Sequence, residues 1–237
     1  MGKAMDDSTA PIGILMLDSR FPRLPGDMGH PATWPFPVAI RVVRGASPVR
    51  IVREGGDTLA ALIAAARELV AEGAAGITTT CGFLSLYQDA LADAVGVPVA
   101  TSSLMQVELV NRLLPKGKRA GILTIAGSSL SRAHLAAARV PDGTPIGTTE
   151  GGREFTRVIL NDLPEMDVDL ARADNVEAAR ALAAAHPELG AIVLECTNMT
   201  PYAADIRAAT GLPVYSIYDF VCWFRAGLSP ARHLPAS

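Results

Sequence analysis

Short apolar runs rich in Val and Ile alternate along this chain with longer Ala- and Leu-rich stretches. That alternation predicts βα units arranged around parallel sheets. Eight strands are expected. Four lie near Ile12 to Leu17, Val38 to Val43, Ala75 to Thr80 and Pro98 to Thr101, and four near Arg119 to Ile125, Pro145 to Thr149, Ala191 to Glu195 and Val214 to Ser216. Helices fit between them at Thr58 to Ala71 (with Asp57 as cap), Leu84 to Ala94, Met105 to Leu114, Ser129 to Arg139, Glu154 to Leu160, Val176 to Ala185 and Tyr202 to Thr210. Pro115-Lys116-Gly117-Lys118 reads as a crossover linker, and the apolar segment Tyr218 to Gly227 is expected to pack back on the first half. The expected architecture is α/β: two pseudo-symmetric three-layer α/β/α domains, each with a four-stranded parallel sheet, and a cleft between them. The first domain takes residues 1–114 plus 217–237 and the second 115–216.

The two halves also repeat in detail. AGITTTCGFLSLYQDALADAVGVPVATSS starts at Ala75 and AIVLECTNMTPYAADIRAATGLPVYSIYD at Ala191. In each, a cysteine (Cys81, Cys196) ends an apolar run, a glycine follows 15 residues later (Gly96, Gly211) and a proline 17 later (Pro98, Pro213). The GIL openings at Gly13 and Gly121 belong to the same duplication. A lone free cysteine is most often a small buried hydrophobe. Matched placement, with Thr78, Thr79, Thr80 and Gly82 around one and Thr197, Asn198 and Thr200 around the other, turns the reading toward function.

Bulk properties narrow the field. The chain has 237 residues and net charge -3 with both signs dispersed, so it lacks the basic stripe that nucleic acid demands, and a small-molecule partner is expected. Three cysteines without metal-ligand spacing argue against a disulfide framework and fit a reducing compartment. The opening MGKAMDDSTAP has no signal-peptide apolar stretch and carries Asp6 where a myristoylation motif needs Ser or Thr, and no run has bilayer-spanning length. The expectation is a cytoplasmic protein without a membrane partner.

Asp18 to Pro37 stands apart, with five prolines, two glycines and the aromatics Phe21, Trp34 and Phe36. A long ordered loop of this kind serves as a lid or binding element, or as an oligomer contact, in which case a homodimer or higher homo-oligomer is expected.

Ligands of open α/β sheets sit outside the carboxyl ends of the strands, where both cysteines fall and where helix starts favour anions and lower thiol pKa values. Two thiols facing one ligand across a cleft can remove a proton from a carbon beside a carboxylate and return one to the opposite face, which is cofactor-independent racemisation or epimerisation. The resulting carbanion needs fixed donors, for which Thr80, Thr197, Asn198 and the amides of Gly82 and Met199 are candidates. Repulsion between two close thiolates favours one thiolate and one thiol.

On these residues the chain resembles the aspartate/glutamate racemase superfamily, which includes aspartate, glutamate and hydantoin racemases, arylmalonate decarboxylase and maleate cis-trans isomerase. The resemblance rests on TTTCGF, LECTNM and Asp18-Ser19, the last similar to the Asp-Ser pair of glutamate racemases. It implies Cys81 and Cys196 as the two catalytic thiols, two α/β domains with the site between them, and no pyridoxal phosphate or metal. Arg20-Phe21-Pro22 replaces the glycine-rich turn of glutamate racemases and Asn198 replaces their histidine, so that activity is not expected. Arylmalonate decarboxylase resembles a one-thiol version of the scaffold.

Elsewhere, Cys222 in Phe-Val-Cys-Trp-Phe reads as structural. His30, His134, His186 and His233 show no ligand spacing, and Gly151-Gly152 reads as a turn. Thr124, Ser128 and Ser129 occupy the position that duplicates Asp18 and Ser19 and are candidates to bind substrate, Ser128 equally a helix cap. Arg20 and Arg23 are candidates to pair with a second carboxylate. The leading expectation is a racemase or epimerase acting on a small amino-acid-like carboxylate. Alternatives are a maleate-type isomerase or arylmalonate-type decarboxylase, a non-catalytic ligand-binding protein, and, more weakly, a dithiol redox switch.

Overall fold

A computed structural model describes residues 10–54 and 58–230. Eight strands form two four-stranded, wholly parallel sheets. The first holds β1 (Ile12–Leu17), β2 (Val38–Val43), β3 (Gly76–Thr79) and β4 (Val99–Ala100) in the order β2-β1-β3-β4. The second holds β5 (Arg119–Thr124), β6 (Ile146–Thr148), β7 (Leu189–Leu194) and β8 (Val214–Tyr215) in the order β6-β5-β7-β8, the same permutation. The central strands β1, β3, β5 and β7 are buried almost throughout, which is why their sequences run apolar without alternation.

The flanking helices are α1 (Leu59–Ala71), α2 (Gln88–Val95), α3 (Val107–Leu113), α4 (Arg132–Ala137), α5 (Phe155–Leu160), α6 (Val168–Ala185), α7 (Ala203–Thr210) and α8 (Ile217–Leu228). Three of them start later than the sequence suggests, because a 3-10 segment comes first: Gly82–Tyr87 before α2, Ser103–Gln106 before α3 and Thr197–Tyr202 before α7. In contrast, α6 starts at Val168 rather than Val176, since the Asp167 side chain accepts from the amides of Asp169 and Leu170 and caps the helix there. Asp57, the expected cap of α1, lies outside the described residues. Gly96 and Gly211 end α2 and α7 at φ of 70° and 71°, the left-handed conformation that favours glycine, and this explains their matched spacing from the cysteines.

Helix α8, opened by a Ser216–Asp219 capping box, returns to the first sheet and buries Ile217, Phe220 and Val221 with Ile12, Ile14, Met28 and Trp34. The main apolar core runs through both halves. Buried hydroxyls stitch them: Ser103 Oγ donates to the Leu194 carbonyl at 2.5 Å, Thr197 Oγ1 to the Thr80 carbonyl at 2.7 Å and Ser85 Oγ to the His134 carbonyl at 3.1 Å. Among the described residues no helix is long and apolar enough to cross a membrane.

Candidate active site

Strands β3 and β7 deliver Cys81 and Cys196 to equivalent places, each in extended conformation as the residue that opens a 3-10 segment. Both are buried and both line one small pocket between the halves. Its wall is mostly apolar: Leu17 and Phe21 after β1, Pro48 and Val52 after β2, Phe83, and Ile125, Ile159 and Leu160 from the second half. Thr80, Gly82, Glu195 and Asn198 complete it.

Burial governs the thiols. It pushes Cys81 up to about 12 and Cys196 well above its ordinary value, in both cases helped by the nearby Glu195 charge. Backbone amides at the 3-10 starts pull the other way, Phe83 and Leu84 on Cys81 and Asn198 on Cys196, as does Arg23 on Cys81. The lowering expected from helix starts is therefore present but outweighed by desolvation.

The other candidates from the sequence fall into three groups. Thr80, Gly82 and Asn198 stand in the pocket wall with the cysteines. Asn198 Oδ1 lies 3.7 Å from Cys196 Sγ, and its Nδ2 donates to Asp27 Oδ2. Thr197, Met199 and Thr124 are buried behind the wall with their groups engaged. The Thr197 hydroxyl serves the Thr80 carbonyl, the Met199 amide the Cys196 carbonyl, and Thr124 Oγ1 donates to Glu195 Oε2 at 2.7 Å. Asp18, Ser19 and Ser128 lie outside the lining. Asp18 accepts from the Gly45 amide, Ser19 Oγ accepts from Arg23, and exposed Ser128 is bound through its amide and hydroxyl to Glu150.

Three features of the site went unread in the sequence. Asp27 is buried, receives Arg23 Nη1 at 2.9 Å and also holds Asn198, so the proline-rich loop grips the second cysteine segment. Arg20 meets Asp162 at 3.2 Å, and the Arg20 and Phe21 amides donate to the same carboxylate, which pins Phe21 over the pocket. The third unread feature is Glu195, fully buried, its carboxyl pushed up to about 7 by desolvation against the Thr124 hydrogen bond. A lone carboxylate ending the apolar run AIVLEC was the available signal. His30 caps a short 3-10 turn, and His134 is buried edge-on to Phe83, its pKa lowered by burial. Among the described residues no group of three or more His, Cys, Asp or Glu could hold a metal ion.

Two equivalent α/β halves with a strand-end thiol from each give the chain the fold of the aspartate/glutamate racemase superfamily. A liganded variant of arylmalonate decarboxylase matches 95% of this chain and 96% of its own at 18% identity with a TM-score of 0.63. The aspartate racemase of Picrophilus torridus matches 94% and 96% at 12% identity with a TM-score of 0.58.

In sequence, the chain is similar to a dimethylsulfoniopropionate lyase of Durusdinium sp. clade D, 28% identical over 227 residues that cover 90% of this chain and 73% of that protein. It is also similar to dimethylsulfoniopropionate lyase 5 of Emiliania huxleyi (strain CCMP1516), 30% identical over 239 residues that cover 93% of this chain and 46% of that protein. The chain thus spans about half to three quarters of the length of these relatives. No protein-family model matches it.

Proposed function

We propose that this protein is a cofactor-independent lyase that takes a proton from the carbon beside a carboxylate and expels a group from the next carbon, with dimethylsulfoniopropionate or a similar β-substituted propionate as substrate. The observation that carries the reading is an apolar pocket lined by both Cys81 and Cys196. The relatives' sulfonium chemistry supplies the leaving group. One sulfur, as thiolate, accepts the α proton. The C–H electron pair becomes the new double bond, and the C–S pair leaves with dimethyl sulfide, giving acrylate. A sulfonium cation entering this apolar pocket favours the thiolate by direct Coulomb attraction, and Phe83 in its wall suits a cation, whereas the Phe21 ring already carries the Arg23 guanidinium at 4.7 Å.

A second reading shares the first step. Having one thiol from each half favours two-base racemisation of an amino-acid-like carboxylate, where the opposite thiol returns a proton. NMR in deuterated water with dimethylsulfoniopropionate, amino acids, hydantoins and substituted malonates separates the outcomes. The expected result is acrylate and dimethyl sulfide from wild type, with rates at least about 100-fold lower in Cys81→Ser and Cys196→Ser. Deuterium at the α carbon without elimination, together with appearance of the opposite enantiomer, would favour the racemase instead. Loss of carbon dioxide would favour the decarboxylase, and binding without turnover a ligand-binding protein.

A further inference from the structure

Whichever thiol acts as base must first part with its proton, and among the described residues of the pocket wall one other titratable side chain can receive it, Glu195. That carboxyl shares one pocket wall with both sulfurs, neither of which hydrogen-bonds to it directly. It belongs to the residue before Cys196, and it leans on the residue after Cys81: a Cβ built on Gly82 would lie 2.3 Å from Glu195 Oε1 and 2.3 Å from its carbonyl oxygen. Oε2 is fixed by the Thr124 hydroxyl, whereas buried Oε1 has no hydrogen-bond partner. A buried carboxyl oxygen left free in a wall that both thiols line is unfavourable as structure alone, because its hydrogen bond to water is lost and not replaced. The charged groups acting on the thiol pair are Glu195 itself, Asp27 on Cys196 and Arg23 on Cys81, and the last two are already paired with each other.

We propose that Glu195 is the proton relay of the thiol pair, taking the S–H proton from the thiol that is to act and giving it up once the carbon chemistry is over. The inference rests on the carbon-acid reading above. In the first step the S–H proton passes through a bridging water to the Glu195 carboxylate and sulfur keeps the electron pair. The thiolate then takes the substrate C–H proton and becomes a thiol again. In elimination, Glu195 releases its proton to water as products leave, which matches the one proton that the reaction liberates. In racemisation, the opposite thiol donates its proton to carbon and is left as thiolate, and Glu195 returns the stored proton to it. Both cycles end with two thiols and a carboxylate. Glu195 acts through the sulfurs and is in this sense a positioning residue.

The test is iodoacetamide labelling of Cys81 and Cys196 against pH, followed peptide by peptide with Cys222 as internal reference, in wild type, Glu195→Gln and Glu195→Asp. Labelling needs no substrate, so its result stands even if no proposed substrate is turned over; such a failure would sink the carbon-acid reading alone. In wild type the labelling rate should rise with pH, flatten once Glu195 ionises near 7, and rise again at higher pH. Glu195→Gln should show one uninterrupted rise and label faster than wild type above neutrality, because the repelling charge is gone. Its turnover should nevertheless fall about 100-fold or more, and Glu195→Asp should recover part of both the turnover and the flattening. An identical labelling profile in wild type and Glu195→Gln, or turnover within threefold of wild type, would overturn the relay. If faster Cys222 labelling shows that the Gln variant is loosened, the wild-type profile decides: flattening near neutrality supports the relay, and its absence overturns it.

Discussion

Glu195 makes the pH dependence of folding a residue-scale measurement. Its carboxyl moves from an ordinary value of 4.5 to about 7 on burial, so between those pH values the unfolded chain gives up a proton that the folded protein keeps. Its stability contribution is therefore full below about pH 4.5, is lost as pH rises toward 7, and changes no further above that. Urea unfolding of wild type and Glu195→Gln across this range should show wild type losing on the order of 3 kcal/mol relative to the variant. A pH-independent difference would contradict the burial argument. Glu150, Glu154 and Glu188, whose pKa values are lowered, act with the opposite sign but are common to both proteins and cancel. The cysteines were legible because the chain states them twice in one context. Glu195 was not, because it is buried against Gly82, which is remote in sequence and adjacent only in the tertiary structure. Arg23 was legible as a cation in a loop, but its neutralisation by Asp27, and Asp27's hold on Asn198, are tertiary facts with no local signature.

At the scale of elements, the matched helix ends offer a measurement with few confounding terms. A Cβ on Gly96 or Gly211 would meet nothing within 4 Å, so substitution changes backbone preference and adds no clash. Gly96→Ala and Gly211→Ala should each cost about 1 kcal/mol in denaturant unfolding, with nearly equal values and unchanged slope. Unequal costs would mean that the two C-termini differ in more than their similar φ. Strand positions were readable from uniform apolar runs, and the glycine–proline spacing marked where helices stop. The starts were harder. Six-residue 3-10 segments after each cysteine carry no periodic signal, and Pro201 lies inside one of them. The π-helical turn Arg50–Glu54, which brings Val52 to the pocket, breaks every regular spacing. The first turns of α6 are polar and gave no apolar stripe, leaving the Asp167 cap as the one cue.

For the molecule as a whole, duplication in the sequence was enough to suggest two parallel sheets but not their strand order, which is set by how helices cover each face. It also did not reveal that the first half's proline-rich loop is fastened to the second half. That fastening uses Asp162, a non-glycine residue at φ of 52°, a conformation that Asp tolerates better than most. Its carboxylate receives Arg20 and the amide of Phe21, joining residues about 140 apart in the chain. One polypeptide contributes both sulfurs to its own pocket. Equimolar mixtures of Cys81→Ser and Cys196→Ser should consequently show no complementation in a turnover assay, even after co-expression or joint refolding. Recovered activity would reveal a composite pocket built from two chains.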